Sequence, residues 1–300
     1  MLDYKLLEAL AAVIQQQSFE RAADLLCLTQ SAVSQRIRLL EERLGQPVLI
    51  RANPIRPTDL GLKLFHHVQQ VQLLEQALSE DVRPEGEKYT HMRLAVNGDS
   101  MSLWLMPVLA EFFHSHQVVL ELIVEDQDCT LARLKAGEVI GCVSAQDTQV
   151  AGCNRQYLGT TRYVWVCSPR FRDRFFSKGV TQDSLRAAPA IIFNRDDQLH
   201  WRYLREHYQL GSGDIYYHTI PTVDGYISAI ERDMGIGFIA EDMVADALAS
   251  GEMINPTPER HFDVDLYWHH WRLNTPLVAH LTTLLFQQAR ESLIWQPPGS

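Results

Sequence analysis

Apolar residues in the first sixty positions recur at helical spacing, with two interruptions. Phe19, Ala22, Ala23 and Leu26 fall on one face of a short helix predicted over 19–26. Cys27, Leu28 and Thr29 break the period. It resumes as Val33, Ile37, Leu40 and Leu44, an apolar stripe that predicts a second helix from Gln30 to about Leu44. Thr29 suits its N-cap, because a threonine hydroxyl can accept from a free first-turn amide. Ala22 and Ala23 are small enough for the second helix to approach closely. Met1–Gln17 reads as a further helix, and Gly45 as a C-terminal stop. Gln46–Ile50 is a short apolar strand, followed by the proline-punctuated loop Arg51–Pro57.

From Thr58 to about Glu80 one long helix is expected. Leu60, Leu64, Val68, Val71, Leu74 and Leu78 recur every three or four residues, a near-heptad seam suited to a partner helix of a second subunit. The same seam would also serve to pack on the chain's own core. Asp81–Tyr89, with Pro84 and Gly86, reads as a hinge.

The pattern then alternates. Strands are predicted at His91–Val96, Val118–Val124 and Val139–Val143, with helices at Ser102–His114 and Thr130–Ala136 between them. A second unit follows, with strands Arg162–Cys167, Ala190–Phe193, Ile215–Ile220 and Ile236–Ile239. Its helices are Asp183–Ala187, Gln198–Tyr208 and Val223–Asp233, with another near Glu241–Ala249. Strand Asp263–His269 and helix Pro276–Ser292 close the chain. Such alternation signals an α/β region with a largely parallel sheet.

The polar face of the second helix bears on function. It carries Gln30, Ser31, Ser34, Gln35 and Arg38, short or amide-bearing near the helix start and basic further along. A helix that enters the major groove needs that arrangement, since Gln and Arg can pair bidentately with base edges. Arg36 lies to the side, where it suits a phosphate. Arg51 and Arg56 project from the loop after the strand, which reads as a wing touching phosphate or a minor groove. An ordinary amphipathic helix pair with a solvated face is the plainer alternative. The cap, the small-residue helix and the acid-free stretch Thr29–Leu40 together favour the DNA reader.

Charge adds a constraint. The chain carries a net −10. Over residues 1–60, Lys5, Arg21, Arg36, Arg38, Arg43, Arg51 and Arg56 balance Asp3, Glu8, Glu20, Asp24, Glu41, Glu42 and Asp59, so the whole excess lies beyond. A neutral domain with one basic face can dock on phosphates while the acidic remainder is repelled. The five cysteines form no CxxC and read as buried free thiols. His66–His67 and His269–His270 are each consecutive, so neither pair points both rings at one site, and HExxH is absent. No metal or cofactor is indicated. No signal peptide or membrane-length apolar run is visible, so a cytoplasmic protein without membrane contact is expected.

The segment ERAADLLCLTQSAVSQRIRLLEERLGQPVLIR, followed by RPTDLG, resembles the LysR-type transcriptional regulators. LAVNGDSMSLWLMP (Leu94–Pro107) and VEDQDCTLARLKAGEVIGCVSAQ (Val124–Gln146) are similar to the branch that senses lysine and arginine and controls basic amino-acid export, the ArgP/LysG type. The similarity covers nearly the whole chain. It implies an all-α winged helix-turn-helix domain (1–57), a linker and dimerisation helix (58–80), a hinge (81–89) and an α/β effector-binding domain (90–300). That domain would be two periplasmic-binding-protein-like subdomains, about 90–160 with 268–300, and about 161–267. The expected partners are double-stranded DNA at an inverted repeat, a second copy of the chain or a tetramer, a small effector that is a basic amino acid, and RNA polymerase.

In open α/β sheets ligands sit beyond the C-terminal strand ends. The first such junction, Asn97–Ser102, offers Ser100 and Ser102 as hydrogen-bonding groups, free helix amides for a carboxylate, and Asp99 for a cation. The second, Glu125–Asp128, holds Asp126. Phe193–Asp197 ends a strand of the second unit and supplies Asp197, although the resemblance fits less cleanly there. Asp99, Ser100, Ser102, Asp126 and Asp197 are therefore the expected effector contacts. Helix capping is the competing role for any one acid, with Asp128 and Asp224 the best candidates. Trp104 suits the core better than the ligand.

Other classes fit less well. A transport-type binding protein would need a signal peptide and no reader. An enzyme would need a nucleophile elbow, phosphate loop or GxGxxG, and Gly235-Ile-Gly237 lacks the third glycine. The sequence also accommodates a LysR-type regulator of another metabolite, or an architectural DNA binder without a ligand.

Overall fold

The computed structural model describes residues 3–77, 89–195, 197–272 and 275–296. They form two compact units, one built on Met1–Thr90 and the other on most of the remainder. In the first, α1 (Tyr4–Gln16) starts where the Asp3 carboxylate accepts from the Lys5 amide. α2 (Phe19–Leu25) is capped by Ser18, and α3 (Gln30–Leu44) by Thr29, whose hydroxyl accepts from the Ala32 amide. Gly45 ends α3 in the left-handed conformation, at φ 70°. β1 (Leu49–Ile50) and β2 (Arg56–Pro57) pair antiparallel as a wing, so the reader is not purely helical. α4 (Asp59–Ala77) follows, with the Thr58 hydroxyl accepting from Gly61 and donating to the Pro47 carbonyl. A Cβ at Gly61 would lie 1.9 Å from the Val48 carbonyl oxygen, so only glycine lets the first turn of α4 cross the wing strand this closely.

The long-helix seam divides differently from the expectation. Leu64, Phe65 and Val68 are buried in one cluster with Leu7, Leu10, Ala22, Val33 and Ile37, and Leu60 packs against it. The first half of the seam therefore belongs to the reader's own core. Periodicity marks an apolar face but not whose surface covers it, and α1 needed a cover. Val71 is half-buried and Leu74 is exposed. Leu78 and all of the expected hinge except Tyr89 lie outside the described residues.

The second unit is an eight-stranded sheet in the order β4-β3-β5-β10-β6-β9-β7-β8. β3 (Thr90–Val96) leads through α5 (Gly98–Ser100), a π-turn at Met101–Leu105 and α6 (Met106–Ser115) to β4 (Val118–Val124). α7 (Thr130–Lys135) and β5 (Gly141–Ser144) complete the first lobe, with β3 and β5 parallel. β6 (Cys153–Val166) then crosses into the second lobe. There α8 (Pro169–Phe175), α9 (Gln182–Ala187), β7 (Ala190–Ile192), α10 (Gln198–Tyr208), β8 (Tyr217–Thr219), α11 (Val223–Glu231), β9 (Ile236–Ala240) and α12 (Ala245–Ser250) wind a second parallel set. β10 (Phe262–Trp271) returns antiparallel to β6, and α13 (Pro276–Ser292) closes the chain. The C-terminal half of β10 pairs with β5, while the C-terminal end of β6 pairs with β9. The two long strands thus join two half-sheets.

Three elements differ from expectation. The strand expected at Arg162–Cys167 begins at Cys153, because residues from Cys153 to Tyr157 pair with Trp271 to Tyr267 of the returning strand, a partner that is distant in sequence. α8 was not anticipated, although Ser168 caps it and Pro169 occupies its first position, a standard helix-start signature. The helix expected from Ser102 starts at Gly98 and contains a π-turn. Trp104 is buried in the core. Among the cysteines Cys142, Cys153 and Cys167 are buried, whereas Cys27 is exposed on the reader. Among the described residues, no helix is long and apolar enough to cross a membrane, and no group of three His, Cys, Asp or Glu could hold a metal ion.

The division of α4 predicts unequal costs. Phe65→Ala should destabilise the reader by about 3–5 kcal/mol, as expected for a fully buried aromatic. Leu74→Ala should leave its unfolding within about 0.5 kcal/mol of the parent. Denaturant titration at a protein concentration low enough to avoid association distinguishes the two.

Candidate functional site

The reader face is assembled by α3 and the wing. Gln30, Ser31, Gln35 and Arg38 are exposed along one side of α3, and Ser34 is half-buried among them. The Ser31 hydroxyl lies 3.0 Å from that of Thr29, so the capping residue also orients its neighbour. Arg36 is placed differently from the expectation. Its Nη1 donates to the Lys5 carbonyl at 3.4 Å, which ties α3 to the start of α1. On the wing, Arg51 lies 3.6 Å from the Glu41 carboxylate. The other Glu41 oxygen accepts from the Val48 amide at 3.0 Å, so one α3 side chain anchors the wing strand and partly neutralises its arginine. Among the described residues Arg38 and Arg56 have no carboxylate within ion-pair distance.

In the second unit a cavity of about 590 Å³, including its open mouth, lies between the lobes beside the crossing strand β6. Asp99, Asp126 and Asp197 all line it. Ser100 and Ser102 do not. The Ser100 hydroxyl is buried without a protein partner, and Ser102 is exposed on the far side of the helix. The π-turn begins at Met101, which separates the phase of Ser102 from that of the cavity-lining turn. Asp196 lies outside the described residues.

Each carboxylate has its own setting. Tyr163, on β6, donates its hydroxyl to Asp99 Oδ2. Asp197 caps α10, accepting from His200 at 3.4 Å and from the Phe193 amide at 3.3 Å. Asp126 accepts from the Asp128 amide at 2.8 Å and faces Asp128, Asp197 and Asp99. Burial and those neighbours push its carboxyl up to about 7. Burial also raises Asp99, against the opposing pull of the Tyr163 hydrogen bond. Glu125, which also lines the cavity, and the adjacent Asp128 are compensated: Glu125 pairs with Arg133, and Asp128 lies 3.5 Å from Arg202. Among the described residues Asp99, Asp126 and Asp197 form no ion pair.

Two capping expectations are corrected here. Thr222, not Asp224, caps α11, and Asp126 rather than Asp128 accepts the turn hydrogen bond before α7. The remaining lining was not anticipated. Asn97 is almost fully buried, and neither its Oδ1 nor its Nδ2 has a protein partner. Phe193, Tyr226 and Phe238 form apolar walls. Asn97 sits in the strand-end junction where a polar residue is a candidate by position. Nothing in the sequence marks Tyr163, which comes from mid-strand, or the aromatics of the second lobe.

Residues 4–62 match the family described as bacterial regulatory helix-turn-helix protein, lysR family. Residues 86–290 match the LysR substrate binding domain. The chain belongs to the LysR family. It is a DNA-binding transcription regulator of that type, with an N-terminal helix-turn-helix followed by a mixed α/β effector-binding domain. Among LysR-family relatives, it is 44% identical to the HTH-type transcriptional regulator ArgP of Pseudomonas aeruginosa over 98% of both chains. It is 38% identical to ArgP of Vibrio cholerae over 97% of this chain and 98% of that one. The structure of ArgP from Mycobacterium tuberculosis is similar at TM-score 0.86 and 34% identity, covering 99% of this chain and all of that one. Full-length LysG from Corynebacterium glutamicum with bound effector Arg is similar at TM-score 0.80 and 31% identity, covering 98% of this chain and all of that one.

The electrostatics of the cavity predict a pH signature in this LysR-family sensor. The folded Asp126 carboxyl titrates near 7, while the unfolded one titrates near 3.8. Between those values the folded state holds a proton that the unfolded state has lost. The ligand-free protein is therefore expected to lose stability as pH rises from about 4 through about 7. Asp126→Asn removes that loss, so its stability advantage over the parent should be larger at pH 8 than at pH 5. Denaturation midpoints of both proteins at the two pH values measure this.

Proposed function

We propose that this LysR-family protein is a homodimer, or a tetramer of two dimers, that reads an inverted-repeat operator in the cytoplasm and answers to arginine or lysine bound in the lobe cavity. It acts without catalysis, by changing the geometry it presents to DNA and to RNA polymerase. The observation that carries the effector reading is the set of three cavity carboxylates with no protein cation. A buried carboxylate without a counter-charge is costly, and a guanidinium or ammonium supplies what Arg133 and Arg202 supply to their neighbours. The other end of the ligand is also provided for. Asn97 and the first-turn amides of α5, which have no intrahelical acceptor, suit an α-carboxylate. Phe193 and Phe238 suit an aliphatic stem. The arginine bound to LysG, and the ArgP identity of relatives spanning nearly the whole chain, support the same reading.

For DNA, the reading assigns base edges to Gln30, Ser31, Ser34 and Gln35, and phosphates to Arg38, Arg51 and Arg56. Arg36 contributes by holding α3 against α1. Val71 and Leu74, the part of the seam that the reader core leaves uncovered, support a partner helix.

Fluorescence anisotropy on an operator duplex tests the reader. Arg38→Ala and Arg56→Ala should weaken binding to all sequences and each lower the slope of log K against log salt by about 0.9. Gln35→Ala should instead cost about 1–3 kcal/mol on the operator alone. Unchanged affinity in all three would remove α3 and the wing from the interface. Thermal shift tests the effector. Arginine or lysine at a hundredfold excess over Kd should add about 2.7 kcal/mol to stability. Citrulline and norleucine, which lack the cation, should bind roughly 10- to 100-fold more weakly. Asp197→Asn should weaken the basic ligands selectively. Equal shifts with citrulline and arginine would rule out the carboxylates as the recognition element.

A further inference from the structure

The three cavity carboxylates without a cation differ in how each is held, and the difference singles out Asp126. Asp99 is steadied by the Tyr163 hydroxyl, and Asp197 by two backbone amides. Asp126 has one amide, from Asp128, and the charges facing it are those of Asp128, Asp197 and Asp99, all acids. Among the described residues no other titratable group around the cavity offers it a positive charge. Burial keeps Tyr163 and Tyr226 neutral by pushing both phenols well above their ordinary value. His200, behind Asp197 on α10, is kept neutral by burial, which lowers it to about 4. Arg133 is engaged by Glu125, and Arg202 by Asp128. Among the described residues, a proton is thus the only counter-charge within reach of Asp126 in the ligand-free sensor. Asn97, buried and unpartnered in the same cavity, independently marks the site as built for a ligand.

We propose that Asp126 holds a proton in the ligand-free sensor and releases it to solvent as the cationic effector enters, so that the protein reads basic amino acid and pH together. The inference rests on the effector reading above. The exchange is proton for cation, and no covalent bond other than O–H changes. An ammonium or guanidinium beside Asp126 favours its charged form, and acid correspondingly expels the ligand. With the free carboxyl titrating near 7, about half a proton leaves per site at pH 7. If only the ionised form accepts the ligand, the apparent affinity is roughly 30-fold weaker at pH 5.5 than at pH 8. A regulator built this way responds to the same intracellular arginine more strongly in alkaline than in acidified cytoplasm.

Isothermal titration of arginine into the full-length protein tests the exchange. At pH 7, runs in phosphate and in Tris should give observed enthalpies that differ in proportion to buffer ionisation enthalpy, with a slope of about half a proton released. The slope should shrink towards zero at pH 8. The dissociation constant should rise as pH falls from 8 to 5.5. Asp126→Asn should abolish the slope and flatten the pH dependence of whatever affinity it retains. Should that variant not bind, the slope and pH profile of the parent decide alone. Binding with no buffer dependence and a constant Kd would overturn the proton exchange and leave the effector reading intact. An unchanged slope in Asp126→Asn would overturn the assignment to Asp126. No heat and no thermal shift with arginine or lysine at any pH would defeat the effector reading itself, and the exchange with it.

Discussion

The ladder between β6 and β10 runs from Phe262 opposite Tyr163 to Trp271 opposite Cys153, and each half-sheet of the sensor hangs on one end of it. Because β6 leaves the first lobe and enters the second without a turn, the lobes face one another across a strand whose backbone groups are already paired. Tyr163 occupies the point on that strand where both lobes come within reach, and its hydroxyl meets Asp99 from the first lobe. The cavity is thus a consequence of connectivity. Strand ends from two parallel half-sheets, each trailing a helix start, converge beside a pair of strands that cannot separate without breaking the sheet.

Connectivity also concentrates charge. Strand-to-helix junctions favour Asp, Ser, Thr and Asn because their side chains accept free helix amides, and bringing junctions from two lobes together gathers those acids in one place. The chain compensates some of them and not others. Arg133, one turn into α7, reaches back to Glu125, and Arg202 reaches Asp128. Among the described residues Asp99, Asp126 and Asp197, which line the cavity, are left without a counter-charge. They represent stability forgone in the ligand-free protein, which a cationic ligand returns on binding.

The reader was legible in the sequence because its parts are neighbours in the chain. The cap at Thr29, the stop at Gly45 and the stripe from Val33 to Leu44 are local signals, and the helix they predict is the helix observed. The seam of α4 was legible as an apolar face but not as to its partner, since Leu64 and Val68 pack on residues more than fifty positions earlier, such as Leu7 and Leu10. Arg36 shows the same limit, because nothing local records that its guanidinium reaches the Lys5 carbonyl. In the sensor, Asp99, Asp126 and Asp197 could be named from strand ends alone. Which acids are neutralised could not, because the arginines that do so lie elsewhere in the sequence. Tyr163 had no signal, being one aromatic among several in a strand that reads as core.

The π-turn at Met101–Leu105 joins two helical stretches of one continuous rod. A π-turn carries one residue more than an α-turn, so the cavity end and the core end of this rod are set in angular register by an insertion. The core end, with Val108, Leu109 and Phe112, is buried in the first lobe and cannot rotate. The same residues wound as regular α-helix would turn the Gly98–Ser100 end by about 100°. That would carry Asp99 off Tyr163 while leaving the lobe packed. A one-residue deletion in this stretch would remove the π-turn and keep Asp99 in place, whereas losing the π-turn at constant length would leave a sensor that keeps its shape and loses its chemistry.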